Sequence, residues 1–122
     1  MQMTFSDQIS SADRDALLQL FTSNQMGGRN RDKLYRALEN SYAVCFAFHE
    51  SSLVGVGRAI SDGEYHAGIY DVAVLPEYQG QSIGHQIMKS LMDRLNVWRI
   101  ALVADGDNQD FIANWASKIS IT

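Results

Sequence analysis

The chain of 122 residues carries a formal net charge of −4 and has a sequence pI near 5.2. An acidic chain is poorly suited to neutralising nucleic-acid phosphates, and this length predicts one domain over residues 1–122. The single cysteine, Cys45, excludes an internal disulfide. The opening MQMTFSDQIS lacks a signal-peptide pattern, and no apolar run could cross a bilayer. We therefore expect a cytoplasmic protein with no membrane anchor and no nucleic-acid partner.

Two short helices are predicted first. Ser10 or Ser11 can cap the segment SSADRDALLQLF, whose apolar residues lie at helical spacing. The glycine pair in MGGR ends that segment. Asn30 or Asp32 can then cap a second helix within NRDKLYRALENS.

Three strands are predicted next, over Tyr42–Phe48, Leu53–Ile60 and Tyr65–Leu75. The short polar turns HESS and SDGE separate them, which indicates an antiparallel meander. Apolar residues alternate along the first strand, with Val44, Phe46 and Phe48 on one face and Ala43, Cys45 and Ala47 on the other. Glycines in the second strand predict close backbone approach.

A crossover unit is predicted after Pro76. One side of the next helix is apolar, and the following run Arg99–Ala104 predicts a strand buried on both faces. This strand should pair in parallel with the third one through a right-handed connection. A last short helix is predicted over Gln109–Ser117. The fold class is thus α/β with a mixed sheet, in the order α, α, β, β, β, α, β, α.

The loop QGQSIG, residues 79–84, lies between the third strand and the long helix. The first N–H groups of a helix have no acceptor within it, and the helix dipole adds positive charge there. Small residues let an anion approach, and serine and glutamine side chains add donors, so a diphosphate would fit. The spacing matches neither a Walker A loop nor a dinucleotide fingerprint. The alternative is an ordinary strand–helix turn.

The stretch YDVAVLPEYQGQSIGHQIMKSLMDRL closely resembles motif A of the GNAT N-acetyltransferase superfamily. That motif reads [QR]-x-x-G-x-[GA] after an apolar strand ending in V-x-P-x-[YF]. Gln79 and Gly84 match, and Ser82 stands where a glycine is usual. The resemblance extends from about Phe5 to Asn108 and includes GRNRDKLYRALENS and LVGVGRAISDG, as in a small single-domain branch. It implies the GNAT acyl-CoA N-acyltransferase fold, an antiparallel meander followed by a β-α-β crossover.

The resemblance further implies an acetyl-coenzyme A site. Backbone groups of Val72, Ala73 and Val74 would pair with the pantetheine arm like another strand. Asn108 matches an asparagine that often touches the coenzyme in this family. The backbone of the loop would hold the pyrophosphate through Gln79, Gly80, Gln81, Ser82, Ile83 and Gly84.

Acetyl transfer requires that the amine lose a proton, since an amine with a pKa of about 10.4 is almost wholly charged at pH 7. Asp71 is the candidate general base because it lies in the strand beside the expected coenzyme. It can equally be a hydrogen-bonded carboxylate with no catalytic part. Arg29, Arg31 and Arg58 can bind an acidic group or be solvated charges. No histidine has a second ligand at metal spacing, so no metal site is predicted.

The C-terminal segment DFIANWASKISIT departs from the family pattern. The tyrosine that relatives use to protonate the leaving thiolate is missing, and so are the two strands that usually follow. The predicted enzyme acetylates a small-molecule or peptide amine. The alternative is a CoA-binding module that has lost catalysis and acts as a sensor or interaction domain. The sheet edge left open could be covered in a homodimer.

Overall fold

The computed structural model of the protein describes residues 2–103. A short 3₁₀ turn, Ser11–Asp13, precedes the first helix, and a second one, Pro76–Tyr78, precedes the third helix. The strands and helices are β1 (Met3–Ser6), α1 (Arg14–Ser23), α2 (Arg31–Glu39), β2 (Ala43–His49), β3 (Ser52–Ser61), β4 (His66–Val74), α3 (Ile83–Asp93) and β5 (Arg99–Leu102). The helix predicted over Gln109–Ser117 and the candidate Asn108 lie outside the described residues.

The five strands form one sheet in the order β1-β2-β3-β4-β5. Neighbours are antiparallel from β1 to β4, whereas β4 and β5 are parallel, with Ile69 opposite Leu102. The predicted meander and β-α-β crossover are confirmed. The strand β1 was not predicted, so the statement that two helices come first was wrong. Its four residues acquire strand structure by pairing with β2, from Met3 opposite His49 to Ser6 opposite Phe46.

Helices cover both faces of the sheet. The apolar side of α3 packs on one face against Ala43, Cys45 and Ala47 of β2, which confirms the predicted alternation. The other face of β2, with Phe46 buried, packs against α1 and α2. The predicted close approach at the β3 glycines is also found, because a Cβ on Gly57 would lie only 2.6 Å from an Ile87 methyl carbon.

The hydrogen bonds show which of the predicted residues caps each of the first two helices. Ser10 forms a capping box with Asp13 ahead of α1. Asn30, rather than Asp32, caps α2, since its side-chain oxygen accepts from two N–H groups at the helix start. No described helix is long and apolar enough to cross a membrane.

The strand β5 differs from its prediction. It was expected to be buried on both faces, yet Arg99 and Ala101 are exposed and Ile100 and Leu102 are only half-buried. The physical reason is its place in the sheet, because β5 is an outer strand in the part of the chain that the structure describes.

Candidate functional site

A β-bulge interrupts β4 two residues after its last described hydrogen bond to β5. Arg58 lies opposite Tyr70 and Val56 lies opposite Ala73, so β4 has two residues where β3 has one. The first of those two, Asp71, has a φ of 59°. Few non-glycine residues adopt this left-handed conformation, and aspartate is among those that tolerate it. The bulge therefore places an unusual backbone conformation at the predicted base.

Two arginines hold the carboxylate of Asp71. Its Oδ1 accepts a hydrogen bond from Arg29 Nη2 at 2.8 Å, and its Oδ2 accepts one from Arg58 Nε at 2.7 Å. Arg29 comes from the loop before α2, whereas Arg58 comes from the neighbouring strand β3. Arg58 also donates from Nη1 to the hydroxyl of Ser41, 3.2 Å away. The bulge is thus tied to the sheet and to the α1–α2 loop.

Burial and ion pairing act on Asp71 in opposite directions. Only 8% of the residue is exposed, and this burial raises the pKa of its carboxyl. The hydrogen bonds and positive charges of Arg29 and Arg58 outweigh burial and hold the pKa below the ordinary 3.8. Asp71 is therefore ionised at neutral pH and is a weak proton acceptor. These contacts favour the structural alternative for Asp71, while its role as a base stays a prediction.

The three arginines considered for an acidic ligand have protein partners. Arg29 and Arg58 bind Asp71 as described above. Arg31 lies on the surface, where its Nη1 is 3.0 Å from an Asp15 oxygen. None of these contacts shows whether the arginines bind an acidic ligand, so that role stays a prediction.

The loop before α3 has the geometry of an anion cradle. Residues 79–82 are exposed, and Gly80 has a φ of 80° with no atom within 4 Å of the Cβ it lacks. Ser82, the N-cap of α3, has a φ of 68° and makes no side-chain cap hydrogen bond. The first N–H groups of a helix have no acceptor within it. The uncapped and accessible start of α3 therefore fits a diphosphate.

The side chain of one loop glutamine, Gln79, is bonded within the protein. The side-chain amide of Gln79 donates to the carbonyl of Val74 at 2.9 Å and to the side-chain oxygen of Asn24 at 3.2 Å. Its backbone N–H donates to Pro76 O at 3.2 Å. Gln79 was expected to offer donors to the diphosphate, but these donors are directed into the protein. The accessible N–H groups therefore begin at Gly80.

The three residues predicted to hold the pantetheine arm lie at the end of β4. Ala73 and Val74 pair with Val56 and Gly55 of β3 on one side. On the other side, the last β4–β5 hydrogen bond among the described residues runs from Val103 N to Ile69 O, which is before Val72. All three side chains are buried. Strand-like pairing of their backbone with the coenzyme stays a prediction.

A comparison with protein families identifies the chain. The model of the acetyltransferase (GNAT) family matches residues 14–115. This chain belongs to the GNAT acetyltransferase family. The match covers the described GNAT elements from α1 to β5, including the bulge and the loop before α3.

Individual GNAT relatives agree with this assignment. GCN5-related N-acetyltransferase 2, chloroplastic, from Arabidopsis thaliana is 41% identical over 105 residues, which are 67% of this chain and 41% of that protein. The chain spans less than half the length of the first curated relatives that it matches. A probable acetyltransferase from Staphylococcus aureus of known structure is 25% identical, with a TM-score of 0.81, and the match covers 94% of this chain and 89% of that one.

One structural neighbour was solved with the coenzyme. PaiA N-acetyltransferase from Thermoplasma acidophilum, in complex with coenzyme A, is 15% identical with a TM-score of 0.74. The match covers 97% of this chain and 89% of that one. At this identity the likeness shows the GNAT fold and nothing finer.

One contact near the loop before α3 could not be predicted from the sequence. His49 Nδ1 lies 2.7 Å from the Tyr78 hydroxyl. The contact joins the end of β2 to the turn before the loop. The two partners are 29 residues apart in sequence, so no local pattern indicates the contact. Cys45 is buried and belongs to the core, and this burial raises the pKa of its thiol.

We expect Ser82→Gly to stabilise this GNAT domain by about 0.5 kcal/mol. The left-handed conformation costs an L-residue roughly 1–2 kcal/mol and glycine does not have this cost, whereas glycine adds roughly 0.5–1 kcal/mol of chain entropy to the unfolded state. Urea unfolding measures the change. Ser51→Gly is the matched control, because Ser51 is an exposed turn residue without positive φ. That control should lower stability, and changes of the same sign in both variants would contradict the prediction.

Proposed function

We propose that this domain is an N-acetyltransferase that moves the acetyl group of acetyl-CoA to a primary amine by direct attack on the thioester. The acceptor is a small-molecule or peptide amine. The observation that carries the proposal is the uncapped start of α3 behind an exposed loop with left-handed Gly80 and Ser82. Membership of the GNAT family and the coenzyme A complex of a structural neighbour support it.

The chain's own backbone would hold the coenzyme. When bound, acetyl-CoA supplies an acetyl group activated as a thioester. The N–H groups of residues 80–84 would bind its diphosphate, since they surround an accessible helix start. Backbone groups of residues 72–74 would pair with the pantetheine arm, and Asn108 would touch the coenzyme. Gln79 would contribute through the position of the loop rather than through its own donors.

Asp71 is proposed to position the backbone rather than to take the proton from the amine. A general base works best with a pKa near the working pH, whereas Asp71 has a pKa below 3.8. Its two ion pairs hold the bulge, and the bulge sets where the N–H groups of the following residues point. A group other than Asp71, or solvent, would then take the proton from the amine.

The second candidate function is a CoA-binding module that no longer catalyses transfer. The ion pairs of Asp71 favour it, because the one carboxylate predicted to act as a base is bound by Arg29 and Arg58. The missing tyrosine in the C-terminal sequence points the same way. Such a module would act as a sensor of acetyl-CoA or through contact with another protein.

Calorimetry with acetyl-CoA, followed by an assay of free CoA released with a panel of amines, separates the two functions. The panel contains small amines, amino acids, aminoglycosides and peptides, tested at pH 7 and pH 9. Binding together with amine-dependent release supports the enzyme. Binding without release supports the module. Absence of binding would contradict both functions.

Location and assembly belong to the same proposal. We propose a cytoplasmic location, although the Arabidopsis relative is chloroplastic by name. A fluorescent fusion of the full protein in its own cells checks this.

We also propose a homodimer that covers an open sheet edge, and light scattering of the purified chain gives its mass in solution.

A further inference from the structure

A fully buried asparagine ends the first helix. Asn24 has an exposed fraction of 0%. Its amide nitrogen donates to Leu20 O at 2.8 Å and to Val74 O at 3.0 Å, and its amide oxygen accepts from Gln79 Nε2 at 3.2 Å. An unsatisfied buried amide costs roughly 1–3 kcal/mol, so a residue of this kind is stable only where its partners are fixed. Both polar atoms of Asn24 have such partners.

The partners of Asn24 belong to the coenzyme side of the domain. Val74 is the last residue of β4, and its carbonyl accepts from both Asn24 and Gln79. Gln79 is the first residue of the loop that leads into α3. The amide network of Asn24, Val74 and Gln79 therefore fixes the loop against the end of the strand. It also links both to the end of α1.

The turn inside this network is short and internally bonded. Tyr78 N donates to Leu75 O at 2.8 Å, and Leu75 N donates to Val54 O of β3 at 2.9 Å. Only Gly80 to Ser82 separate the anchored Gln79 from α3. A movement of Gln79 would thus also move the N–H groups that are proposed to bind the diphosphate. Small misplacements of binding groups weaken binding strongly.

We propose that Asn24 and Gln79 are positioning residues for the coenzyme diphosphate. They act through the Val74 carbonyl, and neither touches the coenzyme with its side chain. This inference rests on the proposed function, since it assigns how the same site is held in its binding shape. It also connects α1 to the coenzyme loop.

Gln79→Met tests the inference, because the exposed side chain keeps its length and loses both donated hydrogen bonds. We expect about tenfold weaker binding of CoA and of 3′-phosphoadenosine 5′-diphosphate, the fragment that carries the diphosphate. The melting temperature should fall as well, because the buried oxygen of Asn24 loses the hydrogen bond from Gln79. Calorimetry measures both affinities. Gln19→Met is the control, since the Gln19 amide donates to the Ser23 hydroxyl on the surface of α1, away from the loop before α3. Its affinities should equal those of the unchanged chain.

Asn24→Asp provides the second variant. A carboxylate cannot donate to Leu20 O or Val74 O, so this variant should lose CoA affinity and stability together. A melting temperature that falls while the CoA affinity of the folded protein stays the same in both variants would assign the network to structure alone and overturn the inference. In this test, the proposed function fails only if the unchanged chain binds no CoA. The inference alone fails if the unchanged chain binds CoA and both variants bind it equally well.

Discussion

Replacing Gly84 with leucine should weaken CoA binding by at least about 100-fold while the domain stays folded. Gly84 is the second residue of α3. Side chains of a helix tilt toward its N-terminus, so a leucine there should crowd the N–H groups that are proposed to bind the anion. The helix itself should gain from the change, because leucine is favoured over glycine in a helix by roughly 0.8 kcal/mol. Calorimetry with CoA measures the affinity, and urea unfolding confirms that the fold is intact.

Gly27→Leu is the control for this variant. No atom lies within 4 Å of the Cβ that Gly27 lacks, and its backbone is not left-handed. The leucine therefore fits without strain in the loop between α1 and α2, and CoA affinity should be unchanged. Equal CoA affinity of the Gly84→Leu variant and the unchanged chain would show that the start of α3 does not hold the diphosphate.

Replacing Asp71 with asparagine should lower the free energy of unfolding by about 3 kcal/mol at pH 7. The change keeps the size of the side chain and its tolerance of left-handed backbone, but it removes the buried negative charge that binds Arg29 and Arg58. Urea unfolding measures the loss. Asp32→Asn is the matched control, since Asp32 also contacts two arginines but its side chain is 46% exposed. That variant should lose less than about 1 kcal/mol.

The acid dependence of stability gives an independent check on Asp71. Its folded pKa lies below the ordinary 3.8, so its stabilising contribution should be complete above that value and lost as the pH falls through the folded pKa. Between pH 6 and pH 2, the free energy of unfolding should therefore fall more with decreasing pH for the unchanged chain than for Asp71→Asn. If that variant keeps its stability but releases CoA with amines much more slowly, and its remaining rate no longer falls toward acid pH, Asp71 is the general base.

Most of the fold could be predicted because it follows from local patterns. The alternation along β2, the polar turns around β3 and the apolar side of α3 all have the period of their secondary structure. The strand β1 could not be predicted in this way. Its sequence MTFS is short and half polar, and it becomes a strand only by pairing with β2, whose partner residues are 40 to 46 positions away.

The candidate site was predictable where its chemistry is local. The small residues between β4 and α3 are adjacent in sequence, so the uncapped helix start could be expected from them. The partners of Asp71 are 42 and 13 residues away, and Asn24 reaches Val74 across 50 residues. Contacts of this range depend on the packing of α1 and its following loop against the sheet, which no periodicity encodes.

A crystal structure with CoA bound tests the central claim most directly. The account predicts that the diphosphate oxygens lie about 3 Å from backbone nitrogens of residues 80–84, at the start of α3. A diphosphate bound elsewhere on the domain, or a loop whose N–H groups are closed off by the protein's own side chains, would contradict it.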